Sequence, residues 1–178
     1  MASSLRRVSN VPYEGNSCER PRLHKLGRKW LVEYQHDEKD LLVDETNMNE
    51  VVYVYKCADS FLRIKGKVNT ITMDSCRRFS LVFDSVVSAA EFINCQSVEM
   101  QVLGTVGTIS IDKTEGCKMY LSADSLGVEV ISCKSTEMNV LVPKDDGEYM
   151  EFPIPEQCKT IVNPERNGIS TFVVDNKQ

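Results

Sequence analysis

With 178 residues, 42% hydrophobic and 26% charged, the chain has the composition of a soluble globular protein with room for one substantial core. A net charge of −5 argues against nucleic acid as a main partner, and no run approaches the ~18 apolar residues of a membrane-inserting span. The seven cysteines are odd in number and MASSLRRVSN has no apolar signal core, so a reduced, cytosolic chain is expected rather than a disulfide framework.

Residues 1–28 read as a basic tail, with Arg6, Arg7, Arg20, Arg22, Lys25 and Arg28, two prolines and little periodicity. Lys29–Tyr34 then alternates and reads as an opening strand, with Trp30 placed to cover the bare end of a stack. Leu41, Leu42 and Val43 begin a first, less regular coil.

From Val51 to Val142 the chain repeats itself every 19 residues. Apolar pairs recur at Val52/Val54, Ile71/Met73, Ala90/Phe92, Ile109/Ile111 and Val128/Val130. Half a repeat later a second ladder runs through Leu62/Ile64, Leu81/Phe83, Met100/Val102, Met119/Leu121 and Met138/Val140. Apolar-x-apolar is the alternation of a half-buried strand, and two such strands per repeat describe a coil rather than a hairpin. Gly66, Gly104, Gly107, Gly116 and Gly127 together with β-branched residues disfavour a helix over the same stretch. Successive coils travel the same way round, so the fold class is all-β: a parallel β-helix over residues 29–159. Cys57, Cys76 and Cys95 are also 19 apart, with Cys117 and Cys133 near the same phase. A small buried residue at each stacked corner accounts for them.

Pro143, Pro153 and Pro155 end the pattern, and Glu151–Gln157 reads as an extended, solvated connector. Thr160-Ile161-Val162 and Ser170-Thr171-Phe172-Val173-Val174 flank an Asn167-Gly168 reversal, which predicts a terminal β-hairpin within residues 160–178. An isolated two-stranded hairpin is not stable, so it must dock on the coil or on a second copy.

No phosphate-cradling loop, dinucleotide fingerprint or nucleophile elbow occurs, and Asp145/Asp146 lie in a turn. The only histidines, His24 and His36, fall outside the regular repeats, and no CxxC is present, so neither a catalytic cysteine nor a metal site is expected. No catalytic residue and no cofactor are assigned. What stands out is an outward set, Lys65, Lys67, Asn69, Asp74, Arg77 and Arg78, at a strand exit and around the following corner. Four basic groups there, in an acidic protein, suit an acidic protein partner steered by charge.

Several of these stretches resemble a known family. Gly27-Arg28-Lys29-Trp30, Val54-Tyr55-Lys56-Cys57, Ile64-Lys65-Gly66-Lys67-Val68-Asn69, Leu81-Val82-Phe83-Asp84, Lys134-Ser135-Thr136-Glu137-Met138-Asn139-Val140 and Phe152-Pro153-Ile154-Pro155-Glu156-Gln157 are similar, in order, to the C-terminal domain of cyclase-associated protein. The resemblance implies a right-handed parallel β-helix that binds monomeric actin, prefers its ADP form and promotes exchange for ATP. It implies a non-enzymatic protein of the cytoplasm and cytoskeleton, and a homodimer formed by exchange of C-terminal strands. Carried onto this sequence, the actin-facing candidates are Lys65, Lys67, Asn69, Asp74, Arg77 and Arg78, with Lys134, Glu137 and Asn139 as a second set. The dimerising residues would be Thr160, Ile161, Val162, Ser170, Thr171, Phe172, Val173 and Val174. Leu5-Arg6-Arg7-Val8 resembles the basic linker ending a WASP-homology-2 segment, without the amphipathic helix that precedes it there. Two alternatives are a passive actin sequesterer and a GTPase activator of the tubulin-folding cofactor C kind. The second needs an outward arginine, and Met100-Gln101-Val102-Leu103 offers none at the corresponding ladder position.

Overall fold

The structure, a computed structural model, describes residues 19–163, 165 and 168–174. The basic pair Arg6/Arg7, the Leu5–Val8 motif and Asn167 lie outside the described residues. Six coils wind between two parallel sheets. The first sheet is built from β2 (Lys29–Glu33), β4 (Val51–Tyr55), β6 (Thr70–Asp74), β8 (Ala89–Ile93), β10 (Thr108–Asp112) and β12 (Glu129–Cys133). The second holds β3 (Leu41–Val43), β5 (Phe61–Val68), β7 (Arg77–Val86), β9 (Gln96–Val102), β11 (Glu115–Tyr120) and β13 (Thr136–Pro143). Neighbours within this set pair in parallel throughout, as a coil demands.

The alternation seen in the sequence is the division between inside and outside. Val52, Val54, Ile71, Met73, Ala90, Phe92, Ile109 and Ile111 point inward from one sheet. Leu62, Ile64, Leu81, Phe83, Met100, Val102 and Met119 meet them from the other, forming one continuous core. Each large side chain in it contributes about 1.5–3 kcal/mol of burial free energy. Strands build this core, because each inward residue lies in register with its counterparts in the coils before and after it.

The last coil departs from the expected phase. Ile109 lies beside Val130 and Ile111 beside Ser132, and Met119 lies beside Val140 rather than Met138. Val128 falls outside the strand. The cause is local: a 3₁₀ turn at Ala123–Ser125 adds two residues to the coil, so the spacing becomes 21. Ser122 and Ser125 fix this turn by donating their hydroxyls to the Gly104 carbonyl at 2.5 and 2.8 Å.

The corner column is likewise only part cysteine. The thiols of Cys57, Cys76 and Cys95 donate to the carbonyls two residues behind them at 3.4, 3.4 and 3.3 Å. In the next coils Thr114 and Ser135 make the same bond, at 3.1 and 2.9 Å, so the column requires a small side-chain donor rather than a thiol. Cys117 instead lies within β11 beside Val98, and Cys133 is exposed at the end of β12. Cys76, flanked by Cys57 and Cys95 and buried, has its thiol pushed up by hydrogen bonding to both and by burial, and burial pushes Cys117 up to about 12.

The ends differ from the sequence expectation too. Arg22–Leu26, placed in the tail above, is a strand (β1) antiparallel to β2 through a Gly27 turn at φ 61°, and Leu23 packs against the core. Strand β1 extends the first sheet at its N-terminal end, while Trp30 packs beside Val52 and donates its indole N–H to Glu50 at 3.0 Å. At the other end the connector is partly a strand, β14 (Tyr149–Pro153), antiparallel to β13, with Ile154 N–H bonded to the Met138 carbonyl at 2.8 Å. Beyond it, β15 (Cys158–Asn163) and β16 (Gly168–Val173) form the expected hairpin and pair with each other. Ile161, Val162, Ile169, Phe172 and Val173 on it are exposed.

Candidate functional site

Each coil turns twice, and because consecutive strands belong to opposite sheets, the two turns lie on opposite edges of the stack. The edge from first to second sheet follows one template: a left-handed residue, the small donor, one spacer and a second left-handed residue. Lys56, Ser75, Asn94, Lys113 and Lys134 open it at φ between 48° and 57°. Asp59, Arg78, Ser97, Gly116 and Glu137 close it, also at positive φ. Such a backbone costs a non-glycine residue about 1 kcal/mol or more, and the inter-coil ladder offsets it. Lys56, Ser75, Asn94 and Lys113 each donate N–H to a carbonyl of the following coil at 2.9–3.0 Å. The side chains of these columns are therefore carried outward on a rigid frame.

The sequence candidates divide between the two edges. Asp74, Arg77, Arg78, Lys134 and Glu137 stand on this first edge, Lys134 and Glu137 three coils beyond Ser75 and Arg78. Lys65, Lys67 and Asn69 stand on the opposite edge, where the chain returns from β5 to β6. The length of β6, five residues ending at Asp74, separates the groups, about 17 Å of extended chain. Asn139 belongs to neither edge; it faces outward from β13 beside Lys118 and Pro153.

Their electrostatic settings also differ. On the first edge, Arg78 donates from Nε and Nη2 to the two carboxylate oxygens of Asp59, at 2.5 and 2.7 Å, and His36 Nε2 approaches Asp59 at 3.6 Å. The bond to Arg78 holds the Asp59 carboxyl below its usual range and raises Arg78. Asp74 accepts from Tyr53 at 3.1 Å and from Ser75 at 2.8 Å, so it braces the sheet. Burial, with Asp74 beside it, pushes the Tyr53 hydroxyl up to about 12. Glu137 gives its N–H to the Glu156 carboxylate. Arg77 is exposed.

On the opposite edge the backbone is the constrained part. Thr46 donates its hydroxyl to the Lys65 carbonyl at 2.5 Å, and Gly66, at φ 84°, donates N–H to Asp84 at 2.6 Å. Arg63 pairs with the same carboxylate. Burial disfavours that carboxylate, but the Gly66 amide and Arg63 outweigh it and lower its pKa. Lys65 and Lys67 are exposed and close no ion pair among the described residues.

Asp59, Arg63 and Asp84 were not singled out in the sequence. Asp59 and Arg78 are 19 apart, so the repeat itself carried that signal; Arg63 and Asp84 are 21 apart and pair diagonally, which the repeat does not disclose. Also unforeseen is an open groove of about 380 Å³ on the outer face of the second sheet, walled by Phe61, Val82, Gln101, Tyr120 and Tyr149. Among the described residues no group of three or more His, Cys, Asp or Glu side chains is placed to hold a metal, and no helix is long and apolar enough to cross a membrane.

Comparison with known proteins gives one consistent answer. The family profile described as adenylate cyclase associated (CAP) C terminal matches residues 19–176. Adenylyl cyclase-associated protein 2 of Mus musculus is 58% identical over 141 residues, which is 79% of this chain and 29% of that protein. The Rattus norvegicus protein of the same name is 57% identical over 161 residues, 89% of this chain and 34% of the relative. The chain thus spans about a third of the length of these relatives. Among solved structures, a cyclase-associated protein from Cryptosporidium parvum superposes with a TM-score of 0.83 at 30% identity, covering 87% of this chain and 96% of that one.

Proposed function

Because the chain belongs to the adenylate cyclase-associated protein C-terminal family, we propose that it binds monomeric actin, prefers the ADP-bound form and promotes exchange of the nucleotide for ATP. The observation that carries this reading is the family match across residues 19–176, which takes in both charged edges of the coil. The physical features are in keeping with it. A stacked β-helix offers a rigid surface to a large partner, and exposed lysines and arginines on its corners suit an acidic one.

The mechanism is allosteric. Actin holds its nucleotide in a cleft between two lobes, and a binder that favours the open cleft raises the nucleotide off-rate through that difference in affinity alone. The residues proposed to face actin are Lys65, Lys67 and Asn69 on one edge, Asp74, Arg77, Arg78, Lys134 and Glu137 on the other, and Asn139 between. The chain acts in the cytoplasm on the cytoskeleton, without a cofactor and without making or breaking a covalent bond. Its exposed hairpin, Cys158–Val174, is proposed to pair with a second copy, which would present two actin-binding surfaces in one particle. Release of a labelled nucleotide from ADP-actin tests the central claim. Faster release at saturating protein supports exchange, slower release identifies a sequesterer, and an unchanged rate overturns the reading.

A further inference from the structure

Exposed apolar side chains are distributed unevenly over the two edges. Val87 is 48%, Leu103 49% and Leu126 56% exposed, and all three stand where the chain returns from the second sheet to the first. On the opposite edge, among the described residues, no large aliphatic side chain is exposed. The three come from successive coils, at neighbouring rather than identical positions of the edge. Val87 N–H bonds to the Val68 carbonyl at 2.9 Å, which puts it one coil beyond Lys67 and Asn69. Leu103 and Gly104 N–H bond to the carbonyls of Phe83 and Asp84 at 2.9 and 2.7 Å, so Leu103 stands over Asp84, the carboxylate that holds Gly66. Leu126 follows Ser125, whose hydroxyl is fixed to the Gly104 carbonyl at 2.8 Å.

We infer that Val87, Leu103 and Leu126 form the apolar anchor of a protein-docking edge whose polar flank is Lys65, Lys67 and Asn69. Nothing in folding requires three aliphatic side chains to stand in water on successive coils of one edge, when those exposed positions could carry polar residues at no cost to the core. The two-residue insertion in the last coil lifts Leu126 outward instead of filling the interior. Apolar centres beside unpaired charge are the composition of recognition surfaces, where a few desolvated anchors supply most of the affinity. The opposite edge lacks the apolar part: Arg77 and Lys134 are exposed there, but Arg78 is held by Asp59 and the exposed column is polar. The partner that fits has an apolar cleft with an acidic rim. This rests on the proposed function, under which that partner is the actin monomer, and it selects one edge of the coil as the main contact.

The experiment measures binding of fluorescently labelled ADP-actin to the full chain and to three variants: Leu103→Ser/Leu126→Ser, Lys65→Glu/Lys67→Glu and Lys113→Glu, the last on the opposite edge and outside the residues proposed to face actin. All the altered side chains are exposed, and thermal melting checks that each variant folds. The first two variants should each weaken binding by about tenfold or more, and Lys113→Glu by less than about threefold. Wild-type binding that survives Leu103→Ser/Leu126→Ser overturns the anchor while leaving the actin reading intact. Equal loss with Lys113→Glu overturns the choice of edge. No binding by the wild type overturns the actin reading itself. Sedimentation of the same proteins tests a different occupant: a change in oligomeric mass confined to Leu103→Ser/Leu126→Ser assigns the ridge to a self-contact and overturns the proposal.

Discussion

Arg78 and Asp59 occupy the same corner position of neighbouring coils, both at positive φ, 46° and 52°, and are joined by two hydrogen bonds of 2.5 and 2.7 Å. The repeat sets opposite charges at the spacing of one coil, where a guanidinium fork meets both carboxylate oxygens. Asp59 is held below its usual range by that bond, so its contribution to stability is complete above the unfolded-state value, about 3.9, and is lost as pH falls through the folded value. In Arg78→Met the Asp59 carboxyl should titrate at higher pH, read from its side-chain carbon shift by NMR, and the acid-side loss of stability should become shallower.

Glu50 joins three parts of the N-terminal end. Lys25 Nζ approaches one carboxylate oxygen at 2.6 Å, Trp30 Nε1 donates to the other at 3.0 Å, and the Glu50 carbonyl accepts from Asn69 N–H at 2.7 Å. Lys25 is the main cause of its lowered pKa, opposed by burial. Glu50→Gln should cost about 1–2 kcal/mol, or several degrees of Tm in a chain of this size. The sign with pH is that of a depressed carboxylate: the difference from wild type is full at neutral pH and shrinks below about pH 4. Melting curves at pH 7 and pH 3.5 measure it.

Thr114 continues the cysteine column in a different chemistry. It donates to the Asp112 carbonyl and accepts from Cys95 N–H at 3.2 Å while almost wholly buried. Thr114→Val keeps the shape and removes both bonds, leaving a buried amide unsatisfied, at a cost of about 1–3 kcal/mol. Thr114→Ser should recover most of that loss, and urea unfolding of the two variants separates hydrogen bonding from packing.

Gly104 lies where two coils approach closely. A Cβ there would stand 2.3 Å from Ser85 Oγ and 2.8 Å from the Asp84 carbonyl oxygen, and the second cannot swing aside. Gly104→Ala should therefore destabilise by about 1–3 kcal/mol, and Gly104→Ala/Ser85→Ala should recover only part of it. Thermal melting of the single and double variants tests this.

The hairpin predicts a concentration-dependent mass. Its apolar residues Ile161, Val162, Ile169, Phe172 and Val173 are exposed in the single chain. Sedimentation equilibrium should give about twice 20.1 kDa for the full chain and a monomer once residues 158–178 are removed. A truncated chain that still dimerises would place the self-contact elsewhere.

Much of the fold was legible because a β-helix writes its geometry into one period. Val52, Ile71, Ala90 and Ile109 had to share a face once each was apolar and 19 residues from the last. Prediction failed where the period broke. Val128 was set in register with Ile109, a place that Val130 takes, because nothing in Ser122–Gly127 reads as two extra residues, although Val128 still packs against the core. Cys117 was grouped with the corner by residue type, 22 residues after Cys95, where the 19-residue step lands on Thr114. The candidate site was legible as charged residues but not as a surface.

By itself, then, the sequence determined the class of fold, the identity of the core columns and the family, because burial repeats with the coil and local alternation separates inside from outside. Only the tertiary structure decided that Lys65 and Arg77, twelve residues apart, stand on opposite edges, that Arg63 engages Asp84 on a diagonal, and that Leu103 is left in water. Those are relations between coils, set by which sheet each strand joins and by side-chain reach across the gap, and neither is encoded in the spacing of residues along one chain.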